Sequence, residues 1–219
     1  MLLAIDTSVG SSVAIVDGER VLAERSVDDS RRHAELVGDL MRQCLVEAGV
    51  SSRGLDAVAV GMGPGPFTGL RVGIAAANSF AFGLGLPVLR VVSHDAVALE
   101  HLRAQPGPLL VTTDARRRER YWSTYAGVDA AGLPVRLSGP AVAPGTGLDE
   151  AVTDYESYVR LDAERVPAGW LGKLAAGIRL HDREFAAPEP LYLRSADAAV
   201  PGSRKRVTER RLPEQRLAT

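Results

Sequence analysis

Cysteine is almost missing from this chain: Cys44 stands alone, so no internal disulfide can form, and a reducing cytoplasm is the expected compartment. Long apolar runs are missing too. The most apolar stretch, residues 72–89, is broken by Asn78, by glycines and by Pro87, which suits a buried helix followed by a strand and not a membrane span. No basic segment precedes the opening MLLAIDTS, and Asp6 follows within it, so no secretory signal is expected. Neither sign of charge is in excess, with 26 basic and 27 acidic residues. That balance hides an uneven layout, because residues 201–219 carry Arg204, Lys205, Arg206, Arg210, Arg211 and Arg216 against Glu209 and Glu214. Such an end reads as a solvated, disordered tail, although basic tails also bind nucleic acid by neutralising phosphates.

What is present describes a folded α/β protein. Hydrophobic residues make up 46% of 219 and charged residues 24%, enough apolar surface for one large core or two small lobes. Three strands are predicted at residues 2–6, 12–17 and 20–27, with Asp17-Gly18 as the turn of a hairpin. Ser30 is placed to cap a helix in which His33, Leu36, Val37, Leu40, Met41, Cys44, Leu45 and Ala48 recur at three- and four-residue spacing, ending at Gly49. A buried strand follows at 55–62. The next helix is expected from a cap at Thr68 to about Leu84, and its many small residues suggest burial on more than one side. A strand at 88–92 and a helix at 95–103 lead to a linker at 105–108. Beyond it come strands at 109–113, 121–126, 133–137 and 157–161, with helices at 147–153 and 167–179. The expected division is a first lobe at 1–104, a second at 105–200 and a tail at 201–219.

Four short motifs carry more information than the periodicity. Asp6-Thr7-Ser8 with Ser11 and Ser12 puts a carboxylate and hydroxyls at the end of the first strand, which is either a surface turn or a place for phosphate oxygens and magnesium. The string from Gly61 to Arg71 breaks a strand with alternating glycine and proline but lacks the Gly-Lys-Ser/Thr of a phosphate loop. Asp114-Ala115-Arg116 with Glu119, Tyr121 and Trp122 is the third, and Pro190-Leu191-Tyr192-Leu193-Arg194 the fourth.

The first motif resembles the opening of actin, hexokinase and Hsp70 type ATPases. The second, GPGPFTGLRVG, closely resembles the GPGSFTGLRIG signature of the TsaB (YeaZ) family, with Pro66 where serine is usual. The third and fourth resemble that family's DAR..EVYW and P.YLR segments. The resemblance spans residues 1 to about 195. It implies a two-lobed actin/hexokinase/Hsp70-like fold, with mixed sheets flanked by helices and a reduced second lobe. It also implies a subunit of the machinery that makes threonylcarbamoyladenosine in tRNA, partnered by the catalytic paralogue TsaD, with TsaE in the larger complex, TsaC as a pathway member, and a homodimer when alone.

The paralogue's metal histidines are spaced His-x-x-x-His, whereas His94 here has Ala98 four residues on. His94 and His101 read as surface or capping residues, and the bulky Arg116, Arg117 and Arg118 stand where a second phosphate loop needs small residues. No catalytic residue, cofactor or metal is therefore expected, and tRNA is expected to be met indirectly through the complex. An active ATPase or phosphotransferase is the alternative, followed by a metallopeptidase of the glycoprotease type. The expected partner surface is built from His33, Leu36, Leu40, Cys44, Gly69, Gly73 and Ala76 on the first two helices, against the competing reading that these helices cover their own sheet.

Overall fold

The computed structural model describes residues 1–28 and 33–194. Ser30, the basic end beyond Pro201 and the side chain of His33 lie outside the described residues. The opening meander is as the turn chemistry predicts: β1 (Leu2–Asp6), β2 (Ser11–Asp17) and β3 (Arg20–Val27) are antiparallel neighbours, with Gly18 at φ 57° in the turn. Helix α1 (His33–Ala48) follows, then β4 (Ala57–Gly61), helix α2 (Phe67–Leu84) and β5 (Val88–Val91). Strand β4 joins β1 in parallel and β5 joins β4, giving a mixed five-stranded sheet in the order β3-β2-β1-β4-β5.

Helix α3 (Ser93–Ala104) leads to a second sheet of β6 (Leu109–Asp114), β7 (Glu119–Val128), β8 (Pro134–Pro144) and β9 (Val159–Asp162), ordered β8-β7-β6-β9. Its central strand pairs antiparallel with one neighbour and parallel with the other, as β1 does, so the second sheet repeats the first without a fifth strand. This is the two-lobed, mixed-sheet architecture with a reduced second lobe that the sequence leads one to expect. Among the described residues no helix is long and apolar enough to cross a membrane.

Alternation along β1 decides the layers. Leu3 and Ile5 point to one side with Val13 and Ile15, under α1 and α2. Leu2 and Ala4 point to the other with Ala14 and Val16, where α3 and helix α5 (Ala168–Leu180) fill the space between the two sheets. Each large aliphatic side chain so buried contributes about 1.5 to 3 kcal/mol. A short helix, α4 (Leu148–Ala151), and a 3-10 turn at Tyr155–Ser157 cover part of the second sheet's far face. The single helix expected at 147–153 is cut short there, and Asp154 adopts a left-handed φ of 56° before the 3-10 turn.

Two local expectations are corrected. Thr68 does not cap α2: Pro66 holds the cap position at φ −62°, Leu70 N–H bonds its carbonyl at 3.1 Å, and Thr68 lies exposed inside the first turn. Nor is α2 buried on two sides. Gly69, Leu70, Gly73, Ala77 and Ala81 form one stripe toward the first sheet, whereas Ala75, Ser79 and Gly83 are open and Phe82 is 90% exposed.

The proposed break at residue 105 falls between the two sheets, yet α5 reaches back across it. At the N-terminus of α5, Ala168 N–H donates to Ser12 Oγ at 3.1 Å and Gly169 N–H to Glu24 Oε1 at 3.1 Å. These side chains of the first sheet satisfy donors that an α-helix leaves unpaired at its start. The helix is therefore seated on strands from the beginning of the chain.

Candidate functional site

The four motifs, scattered over nearly the whole chain, meet at one end of the two sheets. The loop after β1 is at the centre. Asp6 is 1% exposed and accepts hydrogen bonds from Ser8 N–H at 2.8 Å, from Ser8 Oγ, and from Ser93 Oγ at 2.6 Å. Burial pushes its carboxyl above the ordinary carboxylate range, and the hydrogen bonds from Ser8 and Ser93 pull the other way. Thr7 Oγ1 donates to the carbonyl of Gly69 at 2.7 Å. Ser12 is taken by the start of α5, as described above. The Asp6 carboxylate and the hydroxyls of Thr7, Ser8 and Ser12 thus all take part in hydrogen bonds within the chain. Among the described residues no group of three His, Cys, Asp or Glu is placed to hold a metal ion.

The glycine and proline loop before α2 packs directly on this turn. A Cβ at Gly61 would sit 1.8 Å from Asp6 Oδ2, and one at Gly73 would sit 2.2 Å from Thr7 Oγ1, so at both positions only glycine lets the backbones approach this closely. The C-terminal motif straps across the result. Leu191 N–H donates to the Met62 carbonyl at 2.9 Å, the Tyr192 ring packs on Phe67 at a 47° tilt with centroids 4.7 Å apart, and the Arg71 guanidinium lies 3.9 Å over the same Phe67 ring. Arg194 then reaches the second lobe, donating to the Ala115 carbonyl and pairing with Glu119 at 3.1 Å. Between the lobes lies a cleft of about 380 Å³, with Ser8, Gly10 and Pro66 on one wall and Asp114, Arg116 and Arg120 on the other.

His94 is placed differently from the sequence expectation. It is fully buried, with Nδ1 2.9 Å from Ser123 Oγ and Nε2 2.9 Å from Thr113 Oγ1, and is neither a surface nor a capping residue. Burial, with the positive charge of Arg136 nearby, holds its pKa down to about 3. The folded protein keeps this imidazole neutral while the unfolded chain, titrating near 6.5, takes up a proton. Its contribution to stability is complete above about pH 6.5 and is lost as pH falls toward 3, at up to about 1.4 kcal/mol per pH unit. Replacing it by glutamine, His94→Gln, should flatten the fall in melting temperature between pH 6.5 and 5. An equal fall in both proteins would remove His94 as the cause.

The seven residues expected at a partner surface divide by burial. Leu40, Cys44, Gly69 and Gly73 are covered by the chain's own first lobe, and Leu36 and Ala76 are half-buried against the same core. His33 opens α1. Cys44 donates its thiol to the Val13 carbonyl at 3.3 Å, and burial pushes its pKa up to about 11. The faces that α1 and α2 leave open carry Val46, 72% exposed, and Phe82, neither of which the sequence reading singled out. Phe82 has the signal of an aromatic one residue past the buried stripe position Ala81.

Comparison with known proteins gives the same picture. The model of the TsaD family, tRNA N6-adenosine threonylcarbamoyltransferase, matches residues 22–132. An uncharacterized protein of Mycobacterium tuberculosis is 38% identical over 211 residues, covering 90% of this chain and 93% of its own. The tRNA threonylcarbamoyladenosine biosynthesis protein TsaB of Escherichia coli is 34% identical over 126 residues, 57% of this chain and 54% of its own. YeaZ from Pseudomonas aeruginosa superposes with a TM-score of 0.69 at 31% identity, covering 83% of this chain and 92% of that one. Matched by that family's model over half its length and by the YeaZ structure over most of it, the chain belongs to the TsaD family and is YeaZ/TsaB-like.

Proposed function

We propose that this chain is a non-catalytic subunit of the tRNA threonylcarbamoyladenosine machinery, which binds its TsaD and supports transfer of the threonylcarbamoyl group to the adenosine beside the anticodon. The observation that carries the reading is His94. It stands where the paralogue's histidine pair is expected, with Ala98 four residues on, and it is sealed between Ser123 and Thr113 with both ring nitrogens occupied. A ligand must offer a free nitrogen lone pair toward a cavity, and this ring has neither to give. The internally bonded Asp6 loop supports the same conclusion for phosphate transfer. What the chain offers instead is surface, in the open faces of α1 and α2, where TsaD or a second copy would dock, with TsaE joining the larger assembly.

The test is reconstitution with TsaC, ATP, threonine, bicarbonate and an unmodified tRNA. Product is expected when the host's TsaD is present and not when this chain replaces it, and the two should co-elute on size exclusion. Product formed without TsaD would overturn the non-catalytic reading, and separate elution would overturn the partnership.

A further inference from the structure

Beyond α5 the described chain makes no further helix or strand, yet it runs back across both lobes. Asp182 turns it at a left-handed φ of 51°, and Arg183 pairs with Asp129 at 3.0 Å. Ala186 N–H then donates to the Arg90 carbonyl at 2.9 Å, on the edge strand β5. Pro188 and Pro190 follow, each held to a φ of about −65° and without an N–H to donate, so the segment cannot coil into a helix of its own. The backbone bonds it makes within itself reach back only two residues, from Tyr192 N–H to the Pro190 carbonyl and from Leu193 N–H to that of Leu191.

Two grips hold its end, one on each lobe. Tyr192 packs on Phe67, which follows Pro66 in one wall of the inter-lobe cleft. Arg194 donates to the carbonyl of Ala115, which lies between Asp114 and Arg116 of the other wall, and pairs with Glu119. The tie thus spans the rim of the cleft, while α3 and α5, packed on each other between the sheets, join the lobes through the core. A packed pair of helices with a tie across the opening has the geometry of a hinge and a clasp.

Both grips are of a kind that opens locally. The Arg194 and Glu119 side chains are 21% and 35% exposed, and Glu119 Oε2 faces Arg194 Nε at 3.1 Å without an aligned hydrogen bond. Water that reaches this oxygen on release offsets part of what the pair contributes. Leu191 and Tyr192 are half-buried, and among the described residues no side chain beyond Ala175 is fully buried. The segment can therefore lift without opening either core.

We propose that residues 190–194 form a releasable clasp, which fixes the separation of the lobes when closed and lets the cleft widen when open. The clasp needs no partner chain, so it stands or falls apart from the subunit reading.

Electron–electron double resonance between spin labels on Thr68→Cys and Thr146→Cys reads the lobe separation in the full chain. Both positions are exposed, Thr68 beside Phe67 and Thr146 beside Gly145, whose N–H bonds the Arg118 carbonyl in the turn between β6 and β7. Buried Cys44 stays unlabelled, and dilution with unlabelled chain confines the signal to distances within one molecule. The intact clasp is expected to give one narrow distance. Arg194→Ala cuts the grip on the second lobe and Tyr192→Ala the grip on the first, and each should add a longer, broader population. Hydrogen exchange of the Leu191 amide, bonded to the Met62 carbonyl, should quicken about tenfold or more in both. Arg194→Lys keeps the charge and should keep most of the narrow distance. An unchanged distance in both alanine variants would overturn the clasp, and so would widening in only one, because a tie cut at either end is cut. Cooperative loss of the fold in either variant would also overturn it, by making the segment part of a core.

Discussion

Gly73→Leu should lower the melting temperature by roughly 4 to 16 °C, and Gly73→Ala should already cost part of that. The first Cβ added at this position arrives 2.2 Å from Thr7 Oγ1, inside any real contact distance, and a tight 3.0 Å from Thr7 Cγ2. Thr7 cannot step aside freely, because its hydroxyl is bonded to the Gly69 carbonyl one turn earlier on the same helix. Overpacking of this kind costs about 1 to 3 kcal/mol, and losing the buried hydrogen bond adds about 1 kcal/mol. At roughly 2 to 4 °C per kcal/mol for a chain of this size, the sum gives the stated range. Helix propensity opposes it by somewhat under about 1 kcal/mol for either substitution, which is too little to reverse the sign. The sequence alone suggests a different outcome, a folded monomer that loses its partners, because a glycine one turn after another glycine is also the mark of close helix approach between chains. The alanine variant separates the two. A second chain meeting this helix through Gly73 would tolerate alanine in the monomer, whereas packing against Thr7 would not. Thermal melts of both variants decide it, and wild-type stability in Gly73→Leu would show that the β1 loop yields.

Phe82→Glu should leave the melting temperature within a degree or two of wild type while weakening association with TsaD, or with a second copy, by about thirtyfold or more. Phe82 is 90% exposed and sits on the last turns of α2, next to Asn78 and Ser79 along a shallow surface that Leu86 and Val88 floor. Surface exchanges away from caps and cores move stability by no more than about 0.5 kcal/mol. An aromatic anchor buried on binding is another matter, since removing one at the centre of an interface costs about 2 kcal/mol or more, and a carboxylate in its place must also be desolvated. Titration calorimetry against the purified partner measures the loss. Wild-type affinity would move the docking face away from α2, leaving the partnership itself to the co-elution test.

How far the sequence could be read depended on the distance over which each feature is set. The β1 to β3 meander rests on neighbours: alternating apolar residues, an Asp-Gly turn and strands of five to eight residues. Helix α1 rests on three- and four-residue spacing, and its buried residues Val37, Leu40, Met41 and Cys44 are among those the spacing selects. The start of α2 is hidden in the sequence because Thr68 has the chemistry of a cap, while Pro66, with its φ already fixed, ends the preceding extended segment two residues earlier. Small residues all round α2 conceal which side is covered. The informative subset is Gly69, Gly73, Ala77 and Ala81, one residue per turn, and it describes a single face. His94 looked like a surface histidine because its partners Ser123 and Thr113 come from strands 29 and 19 residues further on. Nothing local to a histidine reports that two hydroxyls will close over it.

Helix α5 bears on how such a chain can be made. Its first amides bond Ser12 and Glu24, the former pair 156 positions apart, and its apolar side covers Ala4, Ala14 and Val16. A nascent chain emerging from the ribosome at roughly 5 to 20 residues per second therefore carries one bare face of its first sheet until residue 180 has cleared the exit. During those seconds α1 and α2 can already close the opposite face, because every residue they need has been synthesised. The first lobe is thus half-shielded early and finished last, a schedule that exposes Leu2, Ala4, Ala14 and Val16 to chaperones while the second sheet is being synthesised.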